Sequence, residues 1–249
     1  MSLPGTGKTT VARVIADVLF GLKLKPSNKI VEKSALDLTA DYVGQTTTKV
    51  KEALKEAKGG VLFIDEAYNL GEGQFGKEAC DTIVQAMTSD EFADVLIVIA
   101  GYPDEINEML NKNAGLKSRF NHFFEFPDWE VSDCVSFFKM QAKKEKFTIG
   151  DGVLDKVEEG CSVLCSLDGW GNGRDVTKVW EEAKDERADR VFESLEIEKT
   201  MLLGDVKAGV ESMIRARIPG SGPLPEEGSD PLSRLDELYR MSEVKAQLT

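Results

Sequence analysis

The sequence predicts an α/β fold: a three-layer arrangement with helices on both faces of a parallel sheet, followed by a small all-α domain. Three observations predict it. A glycine-rich turn, Leu3-Pro-Gly-Thr-Gly-Lys-Thr-Thr10, opens directly into a helical apolar stripe. Short apolar runs then alternate with helical stretches as far as Pro127, the pattern of a sheet covered by crossover helices. Beyond Asp128 the strand signals fade and only helical periodicity remains.

Each element follows from its residues. Val11, Val14, Ile15, Val18 and Leu19 recur at helical spacing and predict one face of a first helix that begins right after the glycines. Lys29–Ser34 is β-prone. Val50, Ala53, Leu54 and Ala57 line one face of the next helix, which Gly59-Gly60 ends. Val61-Leu-Phe-Ile64 is apolar throughout, as a strand buried on both faces must be. A helix near Lys77–Thr88 leads to a strand at Val95–Ala100, and Phe123–Phe126 reads as a last strand of this part. Helices follow near 131–147, 152–165, 174–193 and 205–217. Residues 1–127 are thus expected to form an α/β domain and 128–218 a helical one. The Pro-, Gly- and acid-rich stretch 219–231 reads as a linker, and Leu232, Leu235, Leu238 and Tyr239 restart a helical stripe over 232–249.

Composition narrows the function classes. Hydrophobic residues make up 41% and charged residues 30%, which places the chain among globular rather than disordered proteins. The longest apolar run, Val95–Ala100, is far too short to span a bilayer, and no charged-then-apolar leader opens the sequence. No membrane partner is expected. The formal charge of -13, with no long Lys/Arg cluster, reads against a nucleic-acid partner. Of Cys80, Cys134, Cys161 and Cys165 only the last two are close in sequence, and His122 is remote from them. That pattern predicts buried thiols in a reducing, cytoplasmic or nuclear setting rather than a zinc site.

Pro4-Gly5-Thr6-Gly7-Lys8-Thr9-Thr10 has the form of the second half of a phosphate-binding loop. Small residues let backbone N–H groups converge on phosphate at a helix N-terminus. Lys8 would meet the β and γ phosphates of ATP, and the Thr9 hydroxyl would ligate Mg2+. The full pattern has a glycine where this chain has Ser2. Alone, the motif reads equally as a glycine turn before a helix. A second signal accompanies it. Val61–Ile64 ends in Asp65-Glu66, which sets two carboxylates at the C-terminal edge of a sheet, where ligands bind. Asp65 would hold the Mg2+ shell and Glu66 would orient the attacking water.

Further stretches carry a family resemblance: Asp41-Tyr-Val-Gly-Gln-Thr46, Gly59-Gly-Val-Leu-Phe-Ile-Asp-Glu-Ala-Tyr68, Ile99-Ala-Gly-Tyr102, Gly115-Leu-Lys-Ser-Arg-Phe120 and Phe124-Glu-Phe-Pro127. From Leu3 to about Arg217 the chain resembles the AAA+ ATPases, and within them the group of red-type rubisco activase (CbbX) and stage V sporulation protein K. The resemblance implies a P-loop NTPase sheet with a helical lid, and an ATPase working as a ring, typically a hexamer. It assigns Arg119 as an arginine finger acting on the neighbouring subunit, with a plain surface arginine as the alternative. Arg174 matches the lid arginine that contacts nucleotide in cis. Tyr102 stands at the sensor-1 position, commonly asparagine, as a sensor or only a packing residue. Tyr42, Val43 and Gly44 match a pore loop that grips an extended protein client, unless Tyr42 tucks into the core.

The resemblance also places a strand before the phosphate loop, so the chain is expected to lack its first, central strand. Its neighbours would then expose unpaired edges, and weak or no ATPase is expected of this exact chain beside an active parent. Leu235–Leu248 resembles the opening helix of a second module, with Arg240-Met241 in place of Gly-Leu; a plain amphipathic tail is the alternative. The expected function is remodelling or threading of a protein client. A nucleic-acid motor, or an assembly scaffold without productive hydrolysis, are the alternatives.

Overall fold

The computed structural model describes residues 5–40, 42, 44–194 and 199–218. Pro4, Val43, the expected linker 219–231 and the expected helix 232–249 lie outside the described residues. The chain forms two compact units, Met1–Glu130 with Gly169–Asp175, and Val131–Asp168 with Val176–Thr249.

The first unit runs α1 (Lys8–Gly21), β1 (Ile30–Ser34), α2 (Ala35–Leu38), α3 (Gln45–Glu56) and β2 (Val61–Asp65). A 3-10 turn (Ala67–Gly71), α4 (Gly73–Ala86), β3 (Leu96–Ile99), α5 (Pro103–Lys112) and α6 (Ala114–Lys117) follow. The three strands are parallel in the order β1-β2-β3, with Val61 opposite Ile30 and Leu96. Central β2 carries the unbroken apolar run, and Val61, Leu62, Phe63 and Ile64 are all at most 2% exposed. Leu62 and Ile64 face a core built with Val50 and Leu54 of α3, Ile83 of α4 and Met109 of α5. Phe63 faces the other way, onto Ala12 of α1 and Ala100. The sheet is therefore covered on both sides, as β2 requires. Each buried Leu, Ile or Phe side chain contributes about 1.5–3 kcal/mol.

The structure refines the expected elements. On α1 the buried residues are Ala12 and Ala16, while Val14 and Val18 of the apolar stripe are 54% and 52% exposed. Residues 14 and 18 lie roughly 200° round the helix from 12 and 16, so the close-packed face is the small-residue one. Periodicity finds an apolar stripe but not which side the sheet lies on. Phe123–Phe126 is not a strand; Phe123 and Phe124 are 61% and 70% exposed. A strand exists only by pairing, and among the described residues no strand pairs with the outer edge of β3. Helix α4 also begins a turn earlier than expected, at Gly73.

The second unit holds α7 (Val131–Glu145), α8 (Val153–Cys165), most of α9 (Gly173–Ser194) and α10 (Leu203–Arg217), close to the predicted helices. It also contains a short parallel ladder, β4 (Thr148–Ile149) with β5 (Thr200–Met201), which the sequence does not announce. Trp180 centres the core, edge-on to Phe138 at 5.0 Å and Phe147 at 5.2 Å. Its indole N–H donates to Glu145 Oε1 at 2.8 Å, so this buried donor is satisfied. Asp205, 3% exposed, accepts from Arg190 Nε at 2.9 Å and from the Leu202 N–H at 2.9 Å, closing the start of α10.

Candidate functional site

The glycine turn is built for close approach. Gly5 has φ 82°, and a Cβ there would lie 2.2 Å from the Gly171 carbonyl oxygen. Its own carbonyl accepts the Gly173 N–H at 3.1 Å. Gly7, at φ 99°, is the N-cap of α1, and no side chain caps it. The first helical bond runs from the Val11 N–H to the Gly7 carbonyl. The amides of Lys8, Thr9 and Thr10 precede that bond, at the positive end of the helix dipole.

Charges converge on Lys8. Burial holds its ammonium below the ordinary lysine pKa; Asp65 and Asp128 pull it up, and Arg174 pushes it down. Lys8 Nζ lies 3.5 Å from Thr6 Oγ1, and Thr6 is buried. Asp65 ends β2, and its Oδ1 accepts the Glu66 N–H at 3.0 Å. Glu66 is exposed at φ 49° and ψ 38°, a left-handed conformation that costs a non-glycine residue on the order of 1 kcal/mol or more. The strand end around it is pinned, since Ala67 N–H bonds Ala100 O at 2.9 Å and Ala100 N–H bonds Ile64 O at 2.8 Å.

The segment bearing Arg174 is anchored by a residue that the sequence reading passed over. Asn172 is fully buried at φ 50°. Its Oδ1 accepts the Trp129 N–H at 2.7 Å, and its Nδ2 donates to Asp128 Oδ1 at 3.4 Å. Asp175, also buried, accepts the Gly171 N–H. Gly171–Asp175 is thus a rigid platform against the Gly5 backbone. The Gly-Asn-Gly spelling before Arg174 was the available signal; Asp128 had none.

The other predicted residues lie as follows. Arg119 donates to Gly115 O at 2.9 Å and Ser118 Oγ at 3.3 Å, and it is not among the charges acting on Lys8. Tyr42 is 69% exposed rather than tucked into the core. Gly44, at φ 83°, caps α3. Tyr102 precedes α5, with its ring 5.8 Å from that of Tyr68. Burial first, then the nearby Glu66 and Glu105 carboxylates, raise the Tyr68 pKa. A Cβ on Gly101 would lie 2.8 Å from Tyr68 Cδ1, so the Ala-Gly-Tyr spelling makes room for the tyrosine of Asp-Glu-Ala-Tyr.

This donor set fits a magnesium nucleotide. An uncapped helix start and a lysine suit phosphate, and the Asp65 carboxylate near that lysine suits a hard cation held with the phosphates. Residues 1–128 match the ATPase family associated with various cellular activities (AAA), and residues 132–212 match the AAA lid domain. The chain belongs to the AAA ATPase family. Among its relatives, stage V sporulation protein K of Bacillus subtilis is 35% identical over 76% of this chain and 60% of its own length. Protein CfxQ of Xanthobacter flavus is 34% identical over 77% of this chain and 61% of its own. ESX-1 secretion system protein EccA1 of Mycolicibacterium smegmatis is 34% identical over 86% of this chain and 41% of its own. These relatives place this AAA chain in the CbbX and stage V sporulation protein K subfamily, although it spans only about three fifths of the first of them. A Thermotoga maritima RuvB mutant shares the fold at TM-score 0.59 and 19% identity, covering 85% of this chain and 60% of that one. Among the described residues no helix is long and apolar enough to cross a membrane, and no cluster of three or more His, Cys, Asp or Glu could hold a metal ion by itself.

Proposed function

We propose that this chain is the ATP-binding and ATP-hydrolysing module of its full protein, which works with Mg2+ as one subunit of a ring, typically a hexamer, and spends the cycle remodelling or threading a protein client. The convergence of Asp65, Asp128 and Arg174 on the half-buried Lys8 carries the reading. Pro4–Thr10 would cradle the phosphates, with Lys8 on the β and γ groups. Thr9 and Asp65 would hold the cation, which supplies charge neutralisation at the transferred phosphoryl group. Glu66, exposed at the strand end, would accept a proton from water and orient it. Arg174 would touch the nucleotide in cis. Arg119, which donates to the Gly115 and Ser118 oxygens of its own turn, would reach the neighbouring subunit's γ-phosphate.

Client work rests on Tyr42. An exposed aromatic next to Val43 and Gly44 suits nonspecific apolar grip on an extended polypeptide. The acidic balance and the absence of basic residues in that loop favour a polypeptide over nucleic acid. The Asp65-Glu66 pair favours hydrolysis over a scaffold. Buried Cys80, Cys134 and Cys161 thiols suit a cytoplasmic setting.

Trans complementation tests the ring. Lys8→Ala and Arg119→Ala should each lose turnover, and mixing the two should restore part of it, because a wild-type Lys8 site can then meet a wild-type Arg119. Mixtures as inactive as either variant would contradict a shared site. Tyr42→Ala should lose most of the stimulation of ATP turnover by an unfolded polypeptide.

A further inference from the structure

We propose that Glu78 is a positioning residue: its carboxylate clasps the first turn of α3 and fixes the loop bearing Tyr42 relative to the strand end bearing Glu66. This rests on the nucleotide and pore-loop reading above and adds the link between them. Helix α3 starts at the left-handed Gly44 and has no side-chain cap of its own. The carboxylate at its N-terminus comes instead from α4. Glu78 Oε1 accepts the Thr47 N–H at 3.2 Å and the Thr47 hydroxyl at 2.8 Å. The N–H is one of the orphan donors of a helix start, where negative charge is also favoured by the dipole. Thr82 reinforces the clasp, its Oγ1 donating to Glu78 O at 2.8 Å and lying 3.3 Å from Thr47 Oγ1. The base of the loop closes on the same turn. Buried Thr46 accepts the Ala40 N–H at 3.1 Å, and the Gln45 N–H reaches Tyr42 O at 3.3 Å.

The other end of the bracket leads to Glu66. The Asn69 N–H bonds Glu66 O at 3.1 Å, beginning the 3-10 turn. That turn is seated on α4, where a Cβ at Gly76 would lie 2.5 Å from Leu70 O. Cys80 Sγ–H donates to the same carbonyl at 3.4 Å, and burial pushes the thiol pKa to about 11, so the donor keeps its proton at neutral pH. A displacement at Glu66 therefore passes to α4 as a body, and Glu78 hands it to the Tyr42 loop.

Hydrogen exchange with a non-hydrolysable ATP analogue and Mg2+ tests this. In the wild-type chain the analogue should protect residues 5–12 and change exchange across 44–50. Glu78→Ala should keep the protection of 5–12 and lose the change at 44–50, with the Thr47 amide exchanging on the order of tenfold faster in both states. Glu78→Gln, whose amide oxygen can accept the same bonds, should keep part of the response. Should Glu78→Ala fail to fold, Thr47→Val removes the hydroxyl donor and carries the same test. Faster exchange with an undiminished nucleotide-dependent change would mean that Glu78 only supports structure, which overturns the inference. So would protection of 5–12 with no change at 44–50 in the wild type. No protection at 5–12 would overturn the nucleotide reading itself, and the coupling with it.

Discussion

Lys8 shows how much of this site one residue carries. Its ammonium is kept partly out of water beside Asp65 and Asp128, with Arg174 opposing it, so its proton is held less firmly than in free lysine. Because the folded-state pKa is lowered, folding releases protons as pH rises between the folded and ordinary values. Stability from this group therefore rises with pH across that window and is least below it. Lys8→Met should raise the melting temperature of the nucleotide-free chain at neutral pH while weakening ATP binding about 10- to 100-fold, as loss of a charge-assisted contact implies. Calorimetry measures both. Lys8, Thr9, Asp65 and Glu66 can be proposed from the sequence because their chemistry lies in contiguous spellings. Asp128 and Asn172 cannot, since the contacts that bring them to the site join segments far apart along the chain, 44 residues in the Asn172–Asp128 bond.

At the scale of elements, local anchors decide where the functional segments stand. Asn172→Ala would strip the Trp129 N–H of its buried acceptor and leave alanine at φ 50°. A cost of about 1–3 kcal/mol follows, a fall in melting temperature of roughly 2–10 °C, measurable by circular dichroism. In the second unit, Arg190→Ala would leave Asp205 buried without its guanidinium partner. Arg190 is 28% exposed, so the penalty for breaking a fully buried pair is discounted to about 2–3 kcal/mol, readable in urea unfolding. Helical periodicity foretold α3, α7, α8 and α10 well because each buries its own apolar stripe. It left open which side of α1 is buried and made a strand of Phe123–Phe126, because both depend on what lies alongside rather than on the segment itself.

For the molecule as a whole, membership in the AAA family implies nucleotide binding, with residues 132–212 matching the lid domain. The order β1-β2-β3 brings the ends of all three strands to one edge, where Asp65 and Glu66 emerge. The sequence conveyed that edge through one uninterrupted apolar strand followed by two acids. The proposed client rests on Tyr42, whose exposed side chain would need no shaped pocket to grip an unfolded chain. In the proposed function, Glu66 activates water at a site that Lys8 and Asp65 prepare. The decisive measurement is single-turnover hydrolysis of Mg-ATP by the full protein, wild type and Glu66→Gln, with protein in excess. The variant should still bind ATP but hydrolyse it on the order of 10²–10⁴-fold more slowly, the loss expected for a general base. Equal rates in the two proteins would contradict that role.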